Sequence, residues 1–522
     1  MDTSAWEHGA VGSAPRALPD ERPFAVIDIG SNSGRMIVFR LRDDEHLDVI
    51  EDARAPLRLA RELRASDELG EDAIARVVEA LHDFRAVADG IGATRIVAVA
   101  TSAVRDAVDG QRLVEKAHRL GIPLQVIDGG IEARLGFMGA VHDLPVTDGL
   151  TMDVGGGSVE ISRFTERRLE RSWTFPIGSL RMSDRFLLHD PPTEKELAKL
   201  QRHVEGALEG SGIARLRRGE DLVAFGGTVR NLAKMDLRRH DDAMPLLHGH
   251  ELTARRLDEL VVELASRPMK RRAQLPGLNP DRADTVVGGA VVIQAVIRRV
   301  GASRLIVSSR GLREGLALDV FDRGVPPPPW VRSISVATLA SRFATWDADV
   351  AQRRAGIATR LFETLDPAAP FPVNEMLEHA AMLVDVGRAI DYYDRFEHAA
   401  AIVLAADLGA FAHRDLAVLA TILRGAASDE RDGPHARLLD PSDRSAAERA
   451  AATLSLADEL NRRIPPDAPA PVSCTWRRDG FEVVAPVPPA WRPRGVGDRF
   501  ARAFGQPLIV APAELTAAIT PG

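Results

Sequence analysis

The chain is 522 residues long, room for roughly three to four domains with sizeable cores. Hydrophobic residues make up 45% and charged residues 27%, which excludes wholesale disorder, and the scattered glycines and prolines exclude a collagen-like or low-complexity chain. The net charge of -8 argues against a nucleic-acid binder held by a basic surface, and the single cysteine, Cys474, excludes an internal disulfide or a multi-cysteine zinc site. Cys474 reads as structural. Of the 67 basic residues only five are lysines. Any phosphate would therefore be held by guanidinium groups and backbone N–H donors, although the same bias also follows from genome composition.

Residues 1–22 read as a disordered lead-in with an acid, Asp2, where a signal peptide carries bases. No apolar run reaches the roughly 18–20 residues of a membrane span. A cytoplasmic protein is the expectation, with no membrane and no nucleic acid among its partners.

From Phe24 the pattern changes. Phe24-Ala25-Val26-Ile27-Asp28-Ile29-Gly30 predicts a buried strand that breaks at Gly-Ser-Asn-Ser-Gly, and Met36–Phe39 resumes a strand, so a hairpin with a wide polar turn is predicted. Ile96–Val99, a helix over Arg112–His118 ending at Gly121, and Leu124–Ile127 predict a βαβ unit and with it an α/β architecture. Leu150–Ser162 repeats the first hairpin: apolar strand, Asp153-Val-Gly, small polar residues, strand. Two such units point to two similar lobes facing each other. A third turn, Gly226-Gly227-Thr228, follows an apolar strand and opens a helix.

Gly324-Val325 and Pro326–Pro329 read as a stiff linker. An alanine-rich helical region follows to about residue 425, and a charged stretch over 428–446 marks a second boundary before one helix and short strands. The expected domains are 23–147, 148–323, 331–427 and 440–522. His248-Gly-His250 lacks a third ligand at useful spacing and reads as a surface turn rather than a metal pair.

Glycine turns after strands present successive N–H groups to anions, and an aspartate at the strand end can hold Mg²⁺ or its waters. One Asp-x-Gly-Gly-Gly alone is an ordinary hairpin turn. Two of them in order with a Gly-Gly-Thr turn suit a phosphoanion neutralised by Mg²⁺ in one interlobe cleft.

Asp28-Ile-Gly-Ser-Asn-Ser, Asp153-Val-Gly-Gly-Gly-Ser-Val-Glu and Gly226-Gly227-Thr228 resemble the phosphate and adenosine motifs of the actin/heat-shock-chaperone/sugar-kinase superfold. Within it, the chain resembles the exopolyphosphatase/guanosine pentaphosphate phosphatase family. The other matching segments are Ala100–Ala107, Ile127–Leu135, Ile177–Arg181, Leu275–Gly277, Arg282–Asp284 and Ser308–Gly315. The resemblance implies two actin-like (ribonuclease H-like) lobes, then a helical domain of the histidine-aspartate (HD) type and a small α+β C-terminal domain. It implies Mg²⁺-dependent release of terminal phosphate from inorganic polyphosphate, with Glu132 as general base on water and Asp153 and Glu160 as its acidic partners. Asp28, Asp153 and Glu160 are the implied metal residues. Ser31, Asn32, Ser33, Gly155, Gly156, Gly157, Ser158, Gly226, Gly227 and Thr228 would cradle phosphates, with Arg105 and Arg181 as further contacts.

Taken alone, Glu132 would read as a solvated acid at a helix start, Glu160 as an exposed strand residue, and Arg105 as a partner of Asp106. Ile131 stands where the family often has a second acid, which removes a like charge beside Glu132. In the HD-type region Val384 and Val350 replace histidines while Asp385 and His398 remain, so a scaffold without a second metal centre is expected. Homodimerisation is implied by resemblance only. The alternatives are hydrolysis of guanosine pentaphosphate at its 5′ end, a non-enzymatic sensor of polyphosphate or an alarmone, and a sugar-type kinase, from which the Glu-Ala-Arg segment points away.

Overall fold

A computed structural model describes residues 22–42, 47–59, 62–63, 67–240, 242–427, 433–465 and 472–513. The expected lead-in lies outside these residues, apart from Arg22. The chain divides into two compact units at Val331/Arg332.

The first unit holds two sheets built on one plan. In lobe I, β1 (Phe24–Ile29) pairs antiparallel with β2 (Ser33–Leu41), β2 with β3 (Leu47–Pro56), and β1 runs parallel to β4 (Arg95–Ala100), which runs parallel to β5 (Leu124–Val126). In lobe II, β6 (Gly149–Val154), β7 (Val159–Thr165) and β8 (Arg168–Phe175) form the antiparallel half. There β6 runs parallel to β9 (Asp221–Phe225) and β9 to β11 (Arg304–Val307), while β10 (Glu251–Thr253) closes the edge. The strand orders, β3-β2-β1-β4-β5 and β8-β7-β6-β9-β11-β10, make the duplication explicit. The apolar runs of β1 and β6 sit mid-sheet because both faces are covered, which is why they do not alternate.

The helices of this unit are α1 (Gly70–Ile91), α2 (Ser102–Asp106), α3 (Gly110–Arg119), α4 (Gly129–His142), α5 (Ser179–Phe186), α6 (Glu194–Leu208), α7 (Gly227–His240), α8 (Ala254–Ala265), α9 (Met269–Arg272), α10 (Val286–Val300) and α11 (Leu312–Val320). Helix α1 buries Ile74, Val77, Leu81, Phe84 and Ala88, spaced three and four apart, against lobe I, and Gly92 at φ 77° ends it with the left-handed cap only glycine adopts freely.

Helices α4 and α11 cross between the sheets. Leu135 and Leu316 pack with Phe24, Val26 and Phe39 of lobe I, while Phe137, Met138 and Leu318 pack with Phe164, Val223 and Ile306 of lobe II. The expected boundary at 147/148 therefore follows a helix that serves both lobes. The crossing has no side chain between the backbones: a Cβ on Gly139 would lie 1.9 Å from the Gly311 carbonyl oxygen, and one on Gly315 1.8 Å from that of Leu135. The C-terminus of α4 is closed from lobe II. Arg167, at φ 59° in the β7–β8 turn, donates to the carbonyls of Val141 (3.0 Å), His142 (2.8 Å), Leu144 (2.9 Å) and Val146 (2.7 Å). Those are groups a helix end leaves orphaned.

The second unit contains α12 (Pro328–Ser341, which begins before the division), α13 (Ala348–Leu365), α14 (Val373–Leu383), α15 (Arg395–Ala405), α16 (His413–Ala427), α17 (Pro441–Asn461) and α18 (Arg494–Phe504). A small sheet orders β12 (Ser473–Arg477), β13 (Gly480–Ala485) and β14 (Leu508–Pro512). Two expectations change here. Pro328 and Pro329 open α12 instead of extending a linker, since the first turn needs no N–H donor. The boundary near 440 is not a division between compact units: α17 is buried along most of its length among α13, α14 and α16. Phe500 of α18 stacks on Phe481 of β13 at 5.6 Å. Asp385 is held at 2.8 Å by the fully buried Arg354, which also binds Asp458 at 3.2 Å and the Ala381 carbonyl at 2.8 Å, while His398 is half-buried. Cys474 is half-buried with its Sγ 3.4 Å from Thr364 Oγ1.

Replacing Gly315 with alanine drives a methyl into the Leu135 carbonyl, and overpacking of this kind costs about 2–3 kcal/mol. The expected result is an earlier urea midpoint for the first unit; an unchanged midpoint would show that the helices can separate without loss.

Candidate active site

The hairpin registers place the cleft acids. Asp28, one residue from the end of β1, faces Arg35 of β2, and Asp153 at the matching position of β6 faces Glu160 of β7. Equivalent positions thus carry an opposite-charge pair in lobe I and a like-charge pair in lobe II, which is unfavourable unless something neutralises it. Glu132 comes from the first turn of α4, whose N-cap Asp128 accepts from Ile131 N at 2.8 Å. The two turns interlock. A Cβ on Gly156 would lie 3.4 Å from Ser31 Cβ, one on Gly157 3.1 Å from Ser102 Oγ, and Ser31 Oγ sits 2.8 Å from Ser102 Oγ. Glycine at 156 and 157 lets the loops of opposing lobes meet.

A cleft of about 130 Å³ lies here. Of the residues expected from the sequence, it is lined by Asp28, Ser31, Asn32, Ser33, Glu132, Asp153, Gly155, Gly156, Ser158, Gly226 and Gly227. Gly157, Thr228 and Glu160 lie outside that lining, and Thr228 and Glu160 are each 2% exposed. Arg105 is turned to Glu132, at 3.2 Å, and to the Ile127 carbonyl, at 2.8 Å. Arg181 is on the surface, 3.6 Å from Asp106, and does not line the cleft. It sits in the first turn of α5, where its own N–H donates to the Gly156 carbonyl at 3.1 Å, while its side chain is exposed.

Arg35, Arg230, Arg282, Arg310, Arg313 and Glu314 also line the cleft and had no assigned role. Arg35 was findable: its place opposite Asp28 follows from hairpin register. Arg282, Arg310, Arg313 and Glu314 stand inside the motifs quoted above, and Arg230 two residues past Gly226-Gly227-Thr228, but all reach the cleft through tertiary folding.

His248-Gly249-His250 is a correction. It is not a surface turn: Gly249, at φ 80°, donates to the Val307 carbonyl at 2.8 Å, and the buried His250 places Nε2 2.9 Å from the Asp236 carboxylate.

The electrostatics are those of charges removed from water without direct partners. Burial pushes Asp28 up to about 6, against Arg313 and Arg35, and pushes Asp153 up to about 6, against Arg230 and with the help of Asp28. Burial and the charge of Asp153 raise Glu132 to about 7 despite Arg105. Glu160 is held well above the usual carboxylate range by burial, Glu132 and Asp153. On the other side, burial and crowding by neighbouring guanidiniums lower Arg35 to about 9 and Arg282 to about 10, and burial lowers Arg230, so these groups remain cations at neutral pH but under strain. Asp28 Oδ1, Glu160 Oε1 and Thr228 Oγ1 are buried with no hydrogen-bond partner.

Those orphaned oxygens test whether Mg²⁺ fits. Among the described residues no group of three or more His, Cys, Asp or Glu side chains forms a ready metal cage. Mg²⁺ does not require one: it keeps several waters and takes one or two carboxylates together with substrate phosphate oxygens. Asp28 and Asp153 are hard, underneutralised oxygen donors of that kind, with Glu160 behind them.

An interlocked pair of glycine turns at the ends of two duplicated, mixed sheets defines an α/β protein of the actin-like class. A family model for the Ppx/GppA phosphatase family matches residues 37–323, and one for domain III of Ppx/GppA phosphatase matches residues 331–482. The chain belongs to the Ppx/GppA phosphatase family. It is 30% identical to exopolyphosphatase 1 of Mycobacterium tuberculosis over 60% of this chain and 92% of that protein, and 32% identical to exopolyphosphatase 2 of the same species over 57% and 98%. Among solved structures, an exopolyphosphatase from Cytophaga hutchinsonii matches with a TM-score of 0.54 at 26% identity, covering 58% of this chain and 98% of that one. A family member from Aquifex aeolicus matches with a TM-score of 0.51 at 25% identity, covering 57% and 97%.

The raised carboxyls fix the sign of a stability effect. Ordinary values are 3.8 for aspartate and 4.5 for glutamate, while Asp28, Asp153 and Glu132 sit at about 6, about 6 and about 7. Between those limits the folded chain binds more protons than the unfolded one, so stability falls as pH rises through that window. Without divalent cations, the melting temperature should drop from pH 5 to pH 8, and Glu132→Gln should raise it at pH 8; a flat profile would show that the acids are neutralised by other means.

Proposed function

We propose that this protein is an exopolyphosphatase: it hydrolyses the terminal phosphoanhydride of inorganic polyphosphate with Mg²⁺ bound. The observation that carries the reading is the coexistence in one cleft of underneutralised carboxylates and crowded guanidiniums. A polyphosphate chain with Mg²⁺ satisfies both. The names of the similar mycobacterial proteins support the same substrate class.

In this mechanism the turns at Gly156–Ser158 and Ser31–Ser33, through the residues of each that line the cleft, cradle the terminal phosphate, with Arg35, Arg230 and Arg282 neutralising the chain behind it. Asp28 and Asp153 would hold Mg²⁺, which supplies charge neutralisation on the transferring oxygens. Glu132, as the carboxylate, takes a proton from water as the water oxygen attacks the terminal phosphorus. The bond to the bridging oxygen breaks, and the shortened chain leaves with that oxygen as a terminal phosphate oxygen. Glu132 then passes its proton to solvent. Arg105, at 3.2 Å, orients the base, and burial with the charge of Asp153 raises its proton affinity. A base near 7 is well matched to water activation at neutral pH. The second unit serves this reading as scaffold, its Asp385 already neutralised by Arg354.

The test is phosphate release from long-chain polyphosphate and from guanosine pentaphosphate, side by side, in Mg²⁺ and in EDTA. Mg²⁺-dependent release from polyphosphate, lowered at least about 10²-fold in Glu132→Gln, is expected. Preference for the nucleotide would reassign the substrate, and binding without release from either would leave a sensor. The kcat/KM of the wild type should fall as pH drops through about 7, because Glu132 must be ionised to act; a profile flat down to pH 5 would remove it as the base.

A further inference from the structure

The Ser308–Gly311 loop carries Arg310 and Gly311 into the cleft lining directly after β11. Its peptide at Ser309 is also a support for another cleft cation: Arg230 donates to the Ser309 carbonyl at 2.8 Å. Arg310 itself is fixed by the Asp143 carboxylate at 2.6 Å. Asp143 sits just beyond the C-terminus of α4, the helix whose first turn bears Glu132, and Arg310 and His142 hold its carboxyl well below the usual range despite burial.

His248 joins these parts. Its Nε2 lies 2.9 Å from the Asp143 carbonyl oxygen, and its Nδ1 lies 3.3 Å from both the Ser309 amide nitrogen and Ser309 Oγ. A carbonyl can only accept, so Nε2 carries a proton. The Ser309 N–H can only donate, so Nδ1 presents its lone pair. The partners thus select the neutral Nε2-protonated tautomer. In that form one ring bridges the end of α4 and the amide of Ser309, the residue whose carbonyl supports Arg230. It reaches no reacting atom itself.

We propose that His248 is a positioning residue: its neutral imidazole anchors Ser309 by its amide and thereby aims Arg230, bound to the Ser309 carbonyl, and the adjoining Arg310 at the anion in the cleft. The kinetic consequence rests on the exopolyphosphatase reading; the tautomer does not. Because the two guanidiniums grip bound phosphate before and during reaction, loss of His248 should weaken substrate binding more than it slows the chemical step.

Three substitutions separate positioning from mere packing. In His248→Asn the amide oxygen takes the place of Nδ1 and keeps the bond from Ser309. In His248→Gln the amide nitrogen takes the place of Nε2 and keeps only the bond to Asp143. His248→Ala keeps neither. With polyphosphate as substrate, KM should rise about tenfold in the Ala and Gln variants with kcat within about threefold, and Asn should recover most of the loss. Equal KM values across all four proteins, whatever their melting temperatures, would overturn the proposal, as would rescue by Gln and not by Asn. If the wild type releases no phosphate, the functional reading falls on its own, and the same ranking is read as affinity for tripolyphosphate by calorimetry. Histidine-selective ¹⁵N NMR of the full chain, with the Ala variant identifying the resonance, should show Nδ1 unprotonated at pH 8; a proton on Nδ1 would overturn the assignment without reference to activity.

Discussion

The constraint on which the rest of this structure depends is the crowding of Asp28, Asp153 and Glu132, half-buried in the cleft, and the buried Glu160, without a cation in direct contact with most of them. Burial alone does not dictate that outcome. Asp143 is more enclosed than Asp28, Asp153 or Glu132, yet Arg310 and His142 stabilise its charge and pull it the other way. In the cleft, the arginines stand near enough to be felt and too far to neutralise, except for Arg105 on Glu132. Such an arrangement costs stability, and it persists because the duplicated sheets overdetermine it: Asp28 and Asp153 are placed by hairpin register, not by their own contacts.

Arginine does a second job in the chain, away from the cleft. Arg167 satisfies four carbonyls at the end of α4, Arg272 binds the carbonyls of Arg267 and Ala283 while pairing with Asp190, and Arg354 joins a carbonyl to two aspartates. A planar fork with five donors can serve several acceptors in fixed directions, which an ammonium group cannot. A composition with five lysines among 67 basic residues therefore has structural use, whatever its origin.

The parts of the site that were legible in the sequence are those where local chain geometry and chemistry coincide. An apolar run broken by Asp-x-Gly and small polar residues announces strand, carboxylate and anion-binding turn together, and both hairpins lie where that pattern puts them. Glu132 is different: on its own it looks like any acid in a first turn, and only the family resemblance singled it out. Arg230, Arg282 and Arg313 stand in or beside matching segments, but nothing local shows that they meet in the cleft, because each reaches it from a different element. Arg181 looked equivalent and points outward. The boundary expected near 440 failed for a related reason. A charged stretch suggests a linker, but the alanine-rich α17 that follows has small residues on every side and packs into the helices before it.

The glycine crossing of α4 and α11 has a mechanical side. Interdigitating side chains normally lock two helices at one angle, since ridges must leave their grooves before the angle can change. Here backbone rests on backbone at Gly139, Gly311 and Gly315, and each helix is bonded through its flanking side chains to both sheets. The contact works as a rigid joint: the backbones touch without intervening side chains, and the flanking side chains fix each helix in both cores. Close backbone contact leaves no slack between the two helices, so a displacement of α11 is passed to α4 and to Glu132 in its first turn.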